Sequence, residues 1–333
     1  MTPASRHTTA TRGEAGGGPG GIRIGISMCL LGENVRYDGG HKRDGFIADL
    51  LSRYAEFVPV CPEVDIGLGI PREPIRLVDA SGEIRLRGVK SGADHTVAMR
   101  RYAQRKAREL AGLDLCGYIL KKDSPSCGME RVRVYSNVSP PRRSGVGMFA
   151  AALLAALPDL PVEEEGRLQD ARLRENFVER VFAYRRLQAL FAARWTPGDL
   201  VRFHTAEKLL LLAHDALAYR ALGRLVAAVR VHSRPEIEAR YRAAFMQGLR
   251  RVATVRKHCN VLQHVLGYFR DRATTADRQE LEALIQDYRR GLVPLVVPIT
   301  LVRHLVRIHD VEYLHGQTYL EPHPKELMLR NHV

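Results

Sequence analysis

Three cysteines stand where an apolar, strand-like run meets a turn rich in Gly, Pro or Ser. Cys29 follows IRIGISM, Cys61 follows FVPV, and Cys127 ends the segment YILKKDSPSC. Because the carboxyl ends of parallel strands meet at one edge of a sheet, and ligands bind at that edge, we expect the three thiols to share one site. Three thiolates are one fewer than the four ligands that close a structural zinc or iron–sulfur site. A metal or cluster held by them would keep an open position for chemistry.

A carboxylate and two hydroxyls accompany these thiols. Glu63 lies two residues beyond Cys61 in Cys-Pro-Glu, so its side chain can reach the same pocket. Ser124 and Ser126 precede Cys127 in Ser-Pro-Ser-Cys-Gly, a turn sequence. A carboxylate so placed can move protons for a bound water. One cysteine at a strand end is more often a small buried hydrophobe, but three in the same context favour a shared site.

The other two cysteines are predicted to be structural. Cys116 lies inside the strand-like LCGYIL, and Cys259 lies in the helical run RKHCNVLQHVLGYF. His258 and His264 of that run are six residues apart, not the three or four that place two ligands on one helix face. We therefore expect these histidines to pack, to bind carbonyls or to face a polyanion.

The elements that position these residues fall into two regions. Strand-like runs alternate with helical ones over residues 22–157, which predicts an α/β doubly wound (Rossmann-like) N-terminal domain. PDLPVEEEGRL, residues 158–168, has the Pro and acidic character of a linker. Residues 169–333 show helical periodicity and few strand signals, so we expect an all-α C-terminal domain. Residues 1–21 have no hydrophobic stretch and are predicted to be a disordered tail rather than a signal peptide.

Charge is distributed unevenly along the 333 residues. From Arg167 onward there are 28 Lys and Arg against 17 Asp and Glu, so this half carries most of the net charge of +14. Basic surfaces concentrate polyanions, nucleic acid first among them, although an arginine-rich surface can also serve solubility. No apolar run approaches the roughly 20 residues that span a bilayer. Five cysteines without a secretory signal indicate a reducing compartment, so we expect a cytoplasmic protein with no membrane partner.

Six segments carry a family resemblance. SMCLLGENVRYDGG, PVCPEVDIGLGIPREPIRL and KKDSPSCGM resemble the thiouracil desulfidase family, formerly a domain of unknown function. HTAEKLLLLAH, RKHCNVLQHVLGYF and PHPKELMLRN resemble the helical domain often fused behind it. The two-domain arrangement is similar to that of the tRNA 4-thiouridine desulfidases.

The resemblance implies a [4Fe-4S] cluster held by Cys29, Cys61 and Cys127, with the fourth iron free to bind the sulfur of a thiocarbonyl. It also implies Glu63 as the acid/base residue and Ser124 as the hydroxyl that assists it. The expected reaction is non-redox hydrolysis of 4-thiouridine in tRNA to uridine and sulfide. In that case the basic helical domain would hold the tRNA. We predict these phosphate contacts: Arg36, Lys42, Lys121, Lys122, Lys208, Arg256 and Lys257.

Two alternatives stay open at the level of sequence. The first is a desulfidase of free thiobases such as thiouracil, which would not need a basic domain. The second is a non-catalytic module that holds a metal or cluster and binds nucleic acid. A closed metal site would need a fourth protein ligand, and the only other thiol before the linker is Cys116, whose position inside a strand makes it a poor candidate.

Overall fold

A computed structural model describes residues 21–136 and 140–332 of the chain. Among these described residues, the N-terminal region contains eight strands in two four-stranded sheets. The strands are β1 (Ile22–Ser27), β2 (Ala55–Val60), β3 (Ile75–Ala80), β4 (Glu83–Gly88), β5 (Gly117–Leu120), β6 (Val132–Tyr135), β7 (Arg142–Gly145) and β8 (Val162–Glu164). Except for Gly21, the predicted N-terminal tail lies outside the described residues.

Helices connect the strands and make up the C-terminal region. They are α1 (Pro62–Asp65), α2 (Thr96–Ala111), α3 (Met148–Ala156), α4 (Ala171–Ala192), α5 (Pro197–Ala206), α6 (Lys208–His214), α7 (Ala216–Ala227), α8 (Arg234–Leu249), α9 (Val255–Gly267), α10 (Thr275–Arg290), α11 (Val296–Ile308) and α12 (Glu312–His315). The prediction of an α/β region followed by a helical region is confirmed. The doubly wound, Rossmann-like arrangement of the first region stays a prediction.

The first sheet is parallel and has the strand order β2-β1-β5-β8. The central strand β1 pairs with β2 from Ile22 opposite Ala55 to Ser27 opposite Val60. Its other neighbour is β5, which in turn pairs with β8. The carboxyl ends of β2, β1 and β5 therefore meet at one edge, which is the arrangement that the three cysteine contexts predict.

The second sheet is mixed and has the order β4-β3-β6-β7. The run IRLVDASGEIRLRG, residues 75–88, predicts a hairpin with its turn at Ser81-Gly82. β3 and β4 form this hairpin, and Ser81 and Gly82 have φ angles of 56° and 91°. β6 runs parallel to β3, and β7 runs antiparallel to β6. Leu77 and Leu86 are fully buried in the core shared with Met99 of α2, so one face of this sheet packs on that helix.

One predicted helix is divided in the structure. The sequence predicts a single helix over 199–213, whereas α5 ends at Ala206 and α6 begins at Lys208. Gln317 and Thr318 donate hydrogen bonds to the carbonyls of Thr205 and Ala206 at 2.9 and 3.1 Å. In a continuous helix these two carbonyls would accept hydrogen bonds from amides of the next turn. At the break they accept them from Gln317 and Thr318 instead.

The segment interpreted as a linker, 158–168, contributes β8 to the first sheet. Its acidic side chains are buried but paired, which the sequence pattern does not reveal. Glu163 accepts a hydrogen bond from Arg167 at 2.7 Å, and Glu164 accepts one from the amide of Met129 at 2.7 Å. A buried charge is tolerated when it has such partners.

Helix α4 joins the two regions. A side chain at Gly117 of β5 would lie 2.7 Å from Val181 of α4, so the helix packs directly on the first sheet. Ile24 and Ile26 of β1 share a hydrophobic cluster with Phe177 of α4 and with Leu327 near the C-terminus. The first sheet thus shares its core with the helical region. In the part of the chain that the structure describes, no helix is long and apolar enough to cross a membrane.

Candidate functional site

Cys29, Cys61 and Cys127 line a single cavity of about 410 Å³. Cys29 lies in the short 3-10 turn that follows β1, Cys61 precedes α1 at the end of β2, and Cys127 lies in the turn after β5. Liquid water occupies about 30 Å³ per molecule, so the cavity is far larger than a single ion needs. The predicted convergence of the three thiols at one sheet edge is present in the structure.

The turn that carries Cys127 is fixed by its own hydrogen bonds. The Ser124 hydroxyl accepts bonds from the amides of Ser126 and Cys127 at 3.2 and 3.1 Å. The amide of Phe149, in the first turn of α3, donates to the Ser126 carbonyl at 3.0 Å. Gly147 permits this close approach, because an added Cβ would lie 2.5 Å from the Ser126 backbone. The thiol of Cys127 is therefore held by backbone packing rather than by a flexible loop.

Burial dominates the acidity of the three thiols. It raises the pKa of Cys29 to about 11, although the positive charge of Lys121 opposes the shift. It also raises the pKa of Cys61, and it raises that of Cys127 well above the ordinary value despite a hydrogen bond with Ser27. The thiols are thus neutral at neutral pH and must lose their protons when they become ligands.

Cationic side chains partly compensate for the charge that thiolates would bring. Arg36 and Lys121 both lower the pKa of Cys29 against the effect of burial. Lys121 also pairs with Glu165 at 2.5 Å. The positive charge of Lys121 therefore has a fixed position beside Cys29.

Glu63 faces the same cavity with its carboxylate held at both oxygens. Arg72 donates to Oε2 from Nε at 3.0 Å and from Nη2 at 2.5 Å, while the Ser126 hydroxyl donates to Oε1 at 2.9 Å. The side chains of Glu63 and Arg72 are only 15% and 5% exposed. The Glu63 side chain is thus held in one orientation by donors on both sides.

Two details differ from the sequence-based interpretation of the acid/base group. Ser124 lines the cavity, but the hydroxyl bonded to Glu63 is that of Ser126. Arg72, for which the sequence pattern gives no signal, is the cation paired with Glu63. Arg72 is itself anchored, because its Nη1 donates to the carbonyls of Val35 and Gly69, each at 3.0 Å.

The ligand arrangement fits a cluster better than a single ion. Among residues 21–136 and 140–332, no group of three or more His, Cys, Asp or Glu side chains is placed to hold one metal ion. A zinc ion would draw every sulfur to about 2.3 Å from one centre. In a [4Fe-4S] cluster each cysteine binds a different iron, so thiols spread around a large cavity suit it. Cys29, Cys61 and Cys127 are the residues that would hold such a cluster.

Family comparison matches the two regions separately. Residues 24–165 match the model of the 2-thiouracil desulfurase family, and residues 208–324 match DUF1722, a family of unknown function. The uncharacterized protein YbgA of Escherichia coli (strain K12) is 36% identical over 161 residues, which is 48% of this chain and 95% of YbgA. The uncharacterized protein YbbK of Bacillus subtilis (strain 168) is 32% identical over 136 residues, which is 39% of this chain and 89% of YbbK. The chain belongs to the 2-thiouracil desulfurase family.

A solved structure is also similar to part of the chain. It is the [4Fe-4S]-dependent thiouracil desulfidase TudS, which is 30% identical over 45% of this chain and 94% of its own, with a TM-score of 0.35. In the present chain, residues 24–165 match the 2-thiouracil desulfurase model, and they include all three cysteines of the cavity and Glu63.

The residues predicted to contact tRNA fall into two groups. Arg36, Lys42, Lys121 and Lys122 line the cavity of this 2-thiouracil desulfurase domain. In the helical region, Arg256 is exposed, whereas Lys208 lies over the ring of Tyr313 at 5.3 Å and Lys257 donates to the carbonyl of His214 at 2.5 Å. Lys208 and Lys257 therefore have internal partners, which the sequence alone did not reveal.

The two remaining cysteines lie away from the cavity. Cys116 is fully buried, and its sulfur lies 3.4 Å from the amide oxygen of Gln188 on α4. Cys259 is buried in α9. His258, beside it, bonds the Tyr319 hydroxyl at 2.9 Å. These residues have the structural roles that the sequence predicts for them.

Proposed function

We propose that this chain is a [4Fe-4S]-dependent desulfidase that removes sulfur from a thiopyrimidine base of the thiouracil type. The observation that carries this proposal is the meeting of three thiols and the Glu63–Arg72 pair in one cavity. The 2-thiouracil desulfurase family supports the reaction class. The reaction replaces a C=S bond by C=O: water supplies the oxygen and two protons, and sulfur leaves as hydrogen sulfide, with no change of oxidation state.

The bound cluster would supply a soft Lewis-acidic iron that binds the thiocarbonyl sulfur and polarises its carbon. Glu63 is placed to accept the proton of the attacking water, because Arg72 and Ser126 hold it as an oriented carboxylate. It can then return that proton to the leaving sulfur or to a ring nitrogen.

The remaining walls of the cavity suit a flat heterocycle. Val35, Val60, Pro74 and Ile75 present apolar surface to it. Tyr37, which is 40% exposed, lies at the opening with Arg36 stacked on its ring at 5.3 Å. Ligand sites of this kind combine apolar walls with a few fixed polar groups.

A second candidate substrate is 4-thiouridine within tRNA. It is favoured by the fusion to the DUF1722 region and by the concentration of positive charge after Arg167. A base in folded tRNA must be unstacked to enter the cavity, at a cost of a few kcal/mol that phosphate contacts can offset. This candidate requires a rate that falls steeply as salt rises, whereas turnover of a free thiobase would depend little on salt.

The test of the proposed reaction is Glu63→Gln in anaerobically reconstituted protein. The isosteric amide keeps the shape of the site but cannot accept the proton. We expect unchanged iron content and visible spectrum, with kcat for thiouracil lower by about 10² or more. The matched control is Glu280→Gln on the exposed surface of α10, which should match the parent protein. Undiminished turnover by Glu63→Gln would refute the acid/base role.

A further inference from the structure

We propose that the hydroxyl of Tyr118 donates a hydrogen bond to the thiolate of Cys127 once a cluster is bound, and that this bond stabilises the cluster and sets its reduction potential. This inference rests on the proposed function, because it needs the cluster that Cys29, Cys61 and Cys127 would hold. Tyr118 does not line the cavity, so it acts through the ligand Cys127 rather than on the substrate.

The hydroxyl of Tyr118 is a buried polar group without a partner. Tyr118 is fully buried in β5, and its oxygen has no hydrogen-bond partner among residues 21–136 and 140–332. Most buried polar side-chain atoms are hydrogen-bonded, and one that is not costs free energy and needs an explanation. Phenylalanine would fill the same space without that cost. The hydroxyl therefore points to an acceptor that comes with the bound cluster.

Strand pairing places the Tyr118 ring against β1. Tyr118 is directly opposite Gly25, and a Cβ added to Gly25 would collide with the ring, so this glycine makes room for it. Because side chains two residues apart share one face of a strand, Ser27 stands on the same face of β1 as Gly25. The Ser27 side chain is hydrogen-bonded to Cys127. The ring of Tyr118 therefore lies on the face of the sheet that carries Ser27 and Cys127.

The ring and the turn that carries Cys127 are held by the same neighbour. Tyr118, Cys127 and Phe149 belong to one buried cluster, in which the Tyr118 and Phe149 rings lie 5.9 Å apart at an angle of 57°. The amide of Phe149 also donates to the carbonyl of Ser126 at 3.0 Å. Phe149 thus packs on the tyrosine and fixes the turn, so rigid packing sets the position of Tyr118 relative to Cys127.

The charges around the hydroxyl locate it beside the cysteines. Burial raises the pKa of Tyr118 well above its ordinary value, and negative charge at Cys127 is the next largest cause of that shift. The hydroxyl therefore keeps its proton and can act as a donor. Asp65, a carboxylate that also influences this pKa, already accepts the hydroxyl of Tyr102. A neutral thiol is a weak acceptor and a thiolate is a charged one, so Cys127 becomes the acceptor when it binds iron.

A hydrogen bond to a ligand thiolate withdraws negative charge from an iron–sulfur cluster. The reduction potential of such a cluster depends on hydrogen bonds to its sulfurs, on its net charge and on its exposure to solvent. Cys127 is buried, so water supplies little of this hydrogen bonding. We therefore expect Tyr118 to slow the loss of the cluster and to raise its reduction potential. The potential serves as a reporter of the bond, because the proposed reaction is non-redox.

The test compares Tyr118→Phe with the parent, both as full-length protein. The substitution removes only the partnerless hydroxyl, so the cluster-free variant should melt at the parent temperature or slightly above it. After anaerobic reconstitution, the same variant should release iron to EDTA about tenfold faster, since a hydrogen bond to a charged group is lost. Its cluster should also have a more negative potential in a redox titration followed by electron paramagnetic resonance. A packing role alone would not produce opposite effects on the two forms.

Tyr319 provides the matched control, because it is also fully buried but its hydroxyl bonds Nδ1 of His258 at 2.9 Å. Tyr319→Phe should lower the melting temperature of both forms and keep the parent's iron release and potential.

The outcomes separate this inference from the proposed reaction. Parent-like iron release and potential in Tyr118→Phe, or a lower melting temperature of its cluster-free form, would overturn the role of Tyr118. A cluster that depends on Tyr118 but converts no thiobase would instead refute the desulfidase reaction and leave this role standing. A parent protein that takes up no iron would refute both.

Discussion

Replacing Gly147 by alanine should remove the cluster while leaving the fold largely intact. Gly147 has φ −59° and ψ 140°, a conformation that alanine adopts freely, so the effect of the substitution is purely steric. The new Cβ would lie 2.5 Å from the Ser126 carbonyl carbon and oxygen and 2.8 Å from the Cys127 nitrogen. All three contacts are with backbone, which cannot rotate away.

The size of the effect follows from these distances. Ordinary contact begins at 3.4 Å, so the turn that carries Cys127 must move by about 1 Å relative to α3. Overpacking of this kind costs about 1–3 kcal/mol. In a protein of this size that lowers the melting temperature by only about 1–4 °C. A displacement of about 1 Å at a reacting centre, in contrast, costs about 10² in rate.

The assay compares three quantities in one preparation: iron and sulfide per chain after anaerobic reconstitution, melting temperature by circular dichroism, and turnover of thiouracil. Gly316→Ala is the control, because an added Cβ there has nothing within 4 Å. We expect Gly147→Ala to lose most of its iron and turnover with a small fall in melting temperature. Full iron content and parent-like turnover would refute the account of how Cys127 is positioned.

Three further predictions concern the acid/base group and the helical region. Ser126→Ala removes the donor to Oε1 of Glu63 and should lower kcat about tenfold, measured by loss of thiobase absorbance at full iron content. Arg330→Met removes the guanidinium shared by the buried Glu175 and Glu179, which then keep only their histidine partners, and should lower the free energy of unfolding by about 3–5 kcal/mol in a urea titration. Burial lowers the pKa of His258 to about 3, so unfolding takes up a proton below pH 6.5. Stability is therefore retained above pH 6.5 and falls in acid, and His258→Gln should flatten that fall by about 1.4 kcal/mol per pH unit.

Each of these predictions has a result that would contradict it. Parent-like kcat in Ser126→Ala would mean that the hydroxyl does not orient Glu63. A loss below about 1 kcal/mol in Arg330→Met would mean that the partners His332 and His214 suffice for the buried carboxylates. An unchanged slope of stability against pH in His258→Gln would show that this histidine does not stay neutral in the folded state.

The cysteine site could be predicted because its signal is local. Each thiol follows an apolar run, and parallel strands bring such positions together whatever the intervening sequence does. β8 could not be predicted in the same way, because its residues include Glu163 and Glu164, which a buried strand rarely contains. Their partners come from other parts of the chain, so only the folded structure shows that their charges are compensated.

The hydrogen-bond partners of Glu63 could not be predicted from the sequence for a related reason. Arg72 lies nine residues away in the chain, and no periodic pattern links the two. The choice of Ser126 over Ser124 depends on how the turn is folded, since the Ser124 hydroxyl is used by two backbone amides.

The most direct test of the account is anaerobic reconstitution followed by quantification of iron, sulfide and product from one sample. We expect about four iron and four sulfide per chain, release of one sulfide from the substrate for each thiouracil converted to uracil, and loss of both cluster and turnover in Cys127→Ala. A preparation that binds zinc but no iron would contradict it. So would a fully loaded cluster that leaves every thiobase and thionucleotide unchanged.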